Sequence, residues 1–206
     1  MSGLLKLLGW GYVGICVALI AAVRSRVPAE QHGTVVYPAS ATDAQSWFRR
    51  VKPYCNAVEI SVLQNQMPAP QTLEGAGYHA ACYALAGQID NARRIIDKLG
   101  PSDRAHAAGI VFEVGHPVAD AGDDRSAGPI MELVIDYWPN HYMALYHAGM
   151  AEYMLGQHAL AKKNLTAFLE IYKENDGWRS NGIEVLRRLT DSAANQDLRR
   201  PREPGQ

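Results

Sequence analysis

The residues best suited to chemistry lie between Gly115 and Asp124, where one imidazole and three carboxylates fall close together. These side chains are His116, Asp120, Asp123 and Asp124. Imidazole and carboxylate groups bind metal ions and transfer protons. The segment lacks the alternating oxygen ligands and the distant Glu of a calcium-binding loop. We therefore predict a solvated or partner-contacting loop at residues 115 to 124, with a metal site as the alternative.

No other group of residues has the spacing of a catalytic or metal-binding motif. The seven histidines form no metal-binding pair, and the chain has no Cys-x-x-Cys, G-x-S-x-G, P-loop or dinucleotide-binding motif. His79 and His147 come just before small residues suited to helix packing, and we interpret them as structural histidines. The sequence thus predicts a protein that is not an enzyme and has no cofactor, metal or small-molecule substrate.

Cysteine usage allows at most one internal disulfide. Cys16 lies inside the apolar N-terminal run, so only Cys55 and Cys82 can pair. A bridge requires a short Cα separation, which the sequence does not give. We favour two separate buried thiols and keep the bridge as the alternative.

Charge is distributed unevenly along the 206 residues. Residues 27 to 177 carry a net charge of −6, whereas both ends are basic. An acidic body is unsuited to the phosphates of nucleic acid, which require a basic surface. We therefore expect protein partners and no nucleic acid.

The N-terminal segment has the pattern of a membrane helix. Residues 7 to 23 carry no charge and lie between Lys6 and the pair Arg24 and Arg26, which is near the shortest length that spans a bilayer. We predict a transmembrane anchor or signal segment at 1–26, with a cleaved signal peptide as the rival interpretation and a buried helix as the third. The predicted location is a single-pass anchor in a bacterial inner membrane, with the helical domain in the periplasm.

The rest of the chain reads as a linker, a helical domain and a tail. Residues 27–42 contain Pro28, Gly33 and Pro38 and are predicted to be extended. Residues 43–197 are predicted to be all-α, and residues 198–206 a flexible tail. Within the domain we expect helices at 43–67, a hairpin at 72–99, a helix at 102–114, a helix ending at Trp138, a hairpin at 141–173 and a closing helix at 178–195.

Two segments of this domain repeat each other. Gly87 and Ala92 recur as Gly156 and Ala161, each pair 69 residues apart, and a Tyr-His-Ala triplet precedes both. Such a period is typical of stacked helical hairpins. We take Gly109 as the matching glycine of the middle unit. On that alignment the 69-residue spacing corresponds to two repeat units, and the middle unit contains a deletion and an insertion that nearly cancel.

The hairpin at 141–173 resembles a tetratricopeptide repeat. The matching positions are Leu145, Ala148, Gly149, Gly156 and Ala161, and Ala80, Tyr83, Gly87 and Ala92 match in the first hairpin. The resemblance implies a stack of antiparallel helical hairpins that binds protein. It places Met143, Tyr146, Met150 and Tyr153 on the concave, partner-binding face, although the same spacing also fits packing against a neighbouring helix.

Together these patterns predict a membrane-anchored interaction scaffold, or an accessory subunit of a larger membrane complex, acting by binding alone. Membrane contact is assigned to residues 7 to 23, and partner contact to the four residues of the repeat and the four of the 115–124 loop. A transient assembly or cell-envelope factor with the same fold is the alternative. The least favoured alternative is a metal-dependent enzyme that uses the loop.

Overall fold

The computed structural model describes residues 43–198, and all of the regular structure in that range is helical. The predicted all-α class is therefore confirmed for this part of the chain. The helices are α1 (Ala44–Val51), α2 (Ile60–Gln66), α3 (Leu73–Leu85), α4 (Ile89–Asp97), α5 (Pro101–Asp120), α6 (Asp124–Tyr137), α7 (Tyr142–Met154), α8 (His158–Ile171) and α9 (Gly177–Leu198), with a 3-10 turn at Lys52–Tyr54.

Three tight turns join these helices into hairpins: α3 with α4, α5 with α6, and α7 with α8. Each turn has a glycine with positive φ, namely Gly87 at 73°, Gly122 at 75° and Gly156 at 76°, a conformation that glycine adopts without steric strain. Gly122 lies 35 residues after Gly87 and 34 before Gly156. The prediction of a deletion and insertion in the middle hairpin is therefore wrong, because its turn is at Gly122 and the units are nearly equal.

The predicted loop at 115–124 is mostly helix. Helix α5 continues through Gly115 and Pro117 to Asp120, and only residues 121–123 form a turn. Gly115 does not end the helix. It lets α5 approach α6 so closely that a Cβ at this position would lie 2.5 Å from Cγ2 of Ile130.

The helices predicted at 43–67 are present only in part, since no α-helix covers residues 52–59 and α2 begins only at Ile60. After the 3-10 turn, the Asn56 Oδ1 accepts hydrogen bonds from the backbone N–H groups of Val58 and Glu59, both at 3.0 Å. This side-chain turn competes with helix formation. Just before it, Cys55 is bonded to Cys82 of α3, with the two Cα atoms 4.9 Å apart. The favoured interpretation of two separate thiols is thus corrected to a disulfide.

Helix packing follows chain order, with α7 against α8, α3 against α5, α6 against α7 and α5 against α6 as the most extensive contacts. One apolar cluster extends from Trp47 of α1 to Ala148 of α7. A second cluster joins α7, α8 and α9 through Leu165, Phe168 and Val185. Helix α7 contributes to both, which gives it the central position between the two ends of the domain.

The prediction of a single-pass membrane protein is contradicted. Within residues 43–198, no helix is both long and apolar enough to cross a bilayer. The proposed anchor at 7 to 23, the linker at 27–42 and residues 199–206 of the tail lie outside the described residues.

Candidate functional site

An open groove of about 390 Å³ lies between α5 and the junction of α6 with α7. Its walls are mainly apolar and are formed by Ala105, His106, Gly109, Ile110, Glu113, Trp138 and His141. Gly109 lies beside the indole, since a Cβ at this position would make an ordinary van der Waals contact of 3.4 Å with Cζ3 of Trp138. The junction residue Trp138 therefore forms one wall of the groove and remains 39% exposed.

A row of aromatic rings continues from the groove along the start of α7. The Trp138 and His141 ring centroids are 4.6 Å apart, His141 and Tyr142 are 6.3 Å apart, and Tyr142 stacks on Tyr172 at 5.1 Å. Tyr142 is 41% exposed. Exposed aromatic groups in contact with one another are typical of protein interfaces, where Trp and Tyr provide most of the binding energy.

His141 holds this row in place by capping α7. Its Nδ1 accepts a hydrogen bond of 3.2 Å from the backbone N–H of Ala144. Burial, together with the charge of His116, lowers the pKa of His141, although Glu113 acts in the opposite direction. The neutral imidazole is the form that can accept this hydrogen bond, so His141 serves as a rigid, uncharged part of the groove.

A second cluster combines His116 and Asp120 of α5 with His147 of α7. The i, i+4 spacing places His116 and Asp120 on one face of α5. The Asp120 Oδ1 lies 3.5 Å from the His116 Nε2 and 3.9 Å from the His147 Nε2. One ligand atom from each of the three residues lies within 4.8 Å of the others. Neither Nε2 makes a hydrogen bond within the part of the chain that the structure describes.

Aromatic side chains enclose these imidazoles. Phe112 stacks on His116 with centroids 4.9 Å apart, and the rings of Tyr146 and Trp178 meet His147 edge-on at 5.4 Å and 5.5 Å. Burial, with a contribution from His116, lowers the pKa of His147 to about 4 despite the opposing charge of Asp120. His147 is therefore neutral near pH 7.

The four acidic and imidazole residues of the predicted loop separate into two pairs. His116 and Asp120 point to the same place, whereas Asp123 caps α6 by accepting a 3.2 Å hydrogen bond from the N–H of Ser126, and Asp124 begins that helix. His147 was assigned a structural role from the sequence, but it completes the cluster. The i, i+4 spacing pointed to the first pair, whereas nothing local in the sequence joins His147 to it.

Three of the four repeat residues predicted to bind a partner, Tyr146, Met150 and Tyr153, belong to the apolar cluster that α7 forms with α8 and α9. Tyr146 is buried, with its ring 5.1 Å from Phe168 and 4.9 Å from Trp178. Met150 and Tyr153 are partly buried on the same apolar cluster, and Met143 on the other. Tyr146 thus offers little surface to a partner, and the exposed parts of the remaining three stay predicted contacts.

A pair of acidic residues with one buried member was not predicted. Glu152 of α7 is only 2% exposed and faces Glu132 of α6. The Asn164 side chain of α8 donates to both Glu152 carboxyl oxygens at 3.0 Å and also to Glu132. This network ties α6, α7 and α8 together by polar contacts inside the helical layer.

No protein-family model, no curated protein and no solved structure matches this chain.

Proposed function

We propose that this chain is a helical interaction module, with its hairpins stacked as in tetratricopeptide repeats, and that it binds a polypeptide segment in the groove beside Trp138. One observation carries the proposal: a row of neighbouring aromatic rings, in which Trp138 and Tyr142 are exposed, is continuous with an open, mainly apolar groove. On this proposal the protein is a scaffold or an accessory subunit of a larger complex, and it acts by binding alone.

The near-equal unit length supports the repeat assignment. Turns at Gly87, Gly122 and Gly156 recur at 35 and 34 residues, close to the 34 residues of a tetratricopeptide unit. Proteins built from stacked hairpins carry their function on an extended surface formed by several units. The groove lies between α5 and the start of α7, and thus draws on the second and third hairpins.

Charge indicates the chemistry of the partner. The groove wall includes the exposed carboxylate of Glu113, and residues 27 to 177 have a net charge of −6. Opposite charges speed association and orient the partner. The occupant proposed is therefore a polypeptide segment with an apolar or aromatic anchor and at least one basic side chain.

Site-specific photocrosslinking tests the groove. A photoreactive phenylalanine derivative replaces Tyr142 in one protein and Val58 in the control, where the native side chain is 83% exposed and lies outside the groove. We expect a discrete crosslinked polypeptide from position 142 and none from position 58. Equal crosslinking at both positions, or none at either, would contradict a binding groove.

A point variant then measures the contribution of the aromatic row. Trp138→Ala removes an anchor of the kind whose loss costs about 2 kcal/mol or more of binding free energy at a hot spot, so recovery of the crosslinked partner at limiting concentration should fall by about 30-fold. Met154→Ala is the control, since Met154 is 66% exposed and lies outside the groove. Unchanged recovery with Trp138→Ala, in a protein with a normal circular dichroism spectrum, would sink the proposal.

The permanence of binding separates a subunit from a transient assembly factor. A subunit copurifies with its partner in fixed stoichiometry, whereas an assembly factor is recovered in substoichiometric amounts. The same crosslinked sample, quantified by mass spectrometry before and after complex assembly, makes this distinction.

A further inference from the structure

We propose that His116, Asp120 and His147 form a binding site for a divalent first-row transition metal ion, with Zn²⁺ as the best fit, which links α5 to α7. This site is independent of the proposed polypeptide groove. It requires no residue from the turn at 121–123 and no residue outside the described range.

The ligand atoms of the three side chains converge on one point. A tetrahedral zinc ion with bonds of about 2.0 to 2.2 Å holds its ligand atoms roughly 3.5 Å apart. The Asp120 Oδ1 is 3.5 Å from one imidazole Nε2 and 3.9 Å from the other. The full set fits within 4.8 Å, so side-chain adjustments of about 1 Å complete the geometry. Three protein ligands also leave a fourth position for water or another ligand.

The surroundings of the two imidazole nitrogens also indicate a ligand. His147 is 7% exposed, and its Nε2 is buried without a hydrogen bond in the described part of the chain. The Nε2 of His116 is also buried and also makes no hydrogen bond there, although Asp120 lies 3.5 Å away. Buried polar atoms normally have partners, so two such nitrogens aimed at one carboxylate need an explanation. A metal ion bound by both nitrogens gives one.

The types of ligand favour a transition-metal ion over Ca²⁺ or Mg²⁺. Two imidazoles with one carboxylate suit Zn²⁺, Fe²⁺, Ni²⁺ or Cu²⁺, whereas Ca²⁺ and Mg²⁺ prefer oxygen ligands alone. The rings of Phe112, Tyr146 and Trp178 pack against the two imidazoles and hold their orientation, and such outer contacts strengthen metal binding. A transition metal is therefore favoured over the alkaline-earth ions.

Direct metal titration of the untagged full-length chain, after removal of metal by a chelator, tests the site. Native mass spectrometry should show one bound Zn²⁺ per chain, and a competing colorimetric chelator should give its affinity. Asp120→Asn and His116→Gln each remove a ligand atom, whereas Asp124→Asn removes a nearby carboxylate outside the cluster. We expect at least about 100-fold weaker binding in the first two, since loss of outer partners alone costs 10- to 100-fold, and no change in the third.

Cobalt provides a readout that does not depend on affinity. Bound Co²⁺ should give visible ligand-field absorption in the wild-type protein and in Asp124→Asn, and this absorption should be lost in Asp120→Asn. Circular dichroism shows whether each variant is folded, and Asp120, with a side chain 53% exposed, tolerates an isosteric change. Absence of stoichiometric Zn²⁺ in the wild-type protein, or equal binding by wild type and Asp120→Asn, would overturn the proposal, as would equally tight binding of Ca²⁺.

Discussion

Glu152 is the side chain whose protonation state depends most clearly on the fold. Burial raises its pKa to about 8, and a hydrogen bond with Glu132 and the negative charge of Glu132 add to this effect, whereas Asn164 opposes it. A carboxyl with a raised pKa is protonated at neutral pH and can donate a hydrogen bond to its acidic neighbour. Glu152 therefore carries a proton at neutral pH inside the layer formed by α6, α7 and α8.

This protonation predicts a loss of stability at alkaline pH. The folded pKa of Glu152, about 8, lies above its ordinary value of 4.5, so its contribution to stability is fully present below pH 4.5 and is lost as the pH rises through 8. Between pH 6 and pH 9 we expect the free energy of unfolding to fall by about 1 to 2 kcal/mol through this group. The figure is below the full shift because Glu132 is partly exposed and water screens the pair.

Glu152→Gln should remove most of this pH dependence. The amide keeps the size and hydrogen-bonding capacity of the protonated acid, and it cannot ionise. Urea denaturation at pH 6 and pH 9 measures the difference, with exposed Glu170→Gln on α8 as the control that keeps the wild-type slope. A wild-type protein equally stable at both pH values would show that Glu152 is ionised throughout.

At the scale of the helices, glycine decides how closely the two helices of a hairpin pack. A Cβ at Gly149 of α7 would lie 2.6 Å from Cγ and 3.2 Å from the backbone nitrogen of Leu165 on α8. The leucine side chain can move, but its backbone cannot do so without displacing the helix. Gly115 has the same relation to Ile130 in the preceding hairpin.

Gly149→Ala should therefore destabilise the domain. Overpacking costs typically 1 to 3 kcal/mol, and the higher helix propensity of alanine recovers up to about 1 kcal/mol of it. We expect a net loss of about 1 to 2 kcal/mol in chemical denaturation. Gly177→Ala is the matched control, because a Cβ there would have no atom within 4 Å. Gly149→Ala at wild-type stability would mean that α7 and α8 are less closely packed than described.

The ends of the helices show what the sequence could and could not predict about these elements. Helices were predicted to start at residues 43 and 72, and in the structure the side chains of Asp43 and Thr72 cap the helices that begin there. Gly115, in contrast, looks like a helix end, and Pro117 reinforces that impression. Its true role depends on the position of Ile130 on another helix, which a local pattern cannot show.

The imidazole cluster was predictable only in part, because two of its residues share one helix and the third comes from another. The i, i+4 relation of His116 and Asp120 is visible once α5 is known to continue to Asp120. His147 lies on a helix that is separated from α5 by α6, and its approach follows only from the packing of the hairpins. The Glu132, Glu152 and Asn164 network was missed because buried acidic residues are rare and its members come from three helices.

At the scale of the whole molecule, the disulfide is the one covalent connection between distant parts of the described chain. Cys55 and Cys82 are 27 residues apart. Closing a loop of this length stabilises a protein by roughly 3 to 4 kcal/mol in the chain-entropy model. The bridge joins the segment after α1 to α3, and so fixes the N-terminal helices against the first hairpin.

Replacing both cysteines, as Cys55→Ala with Cys82→Ala, should lower the free energy of unfolding by about 2 to 4 kcal/mol. A reducing agent should do the same to the wild-type protein and have no effect on the double variant. Cys16→Ala, which leaves the bridge intact, serves as the control in thermal unfolding. If reduction leaves the wild-type transition unchanged, the bridge does not constrain the unfolded chain.

The position of the bridge also has a consequence for how the protein is made. Both cysteines precede Gly122 and Gly156, the turns of the second and third hairpins, and chains emerge from the ribosome with the N-terminal part first. In an oxidising environment the first hairpin can be fastened to α1 before the residues of the groove and of the imidazole cluster have been synthesised. The later hairpins then add to a template whose arrangement is already covalently fixed.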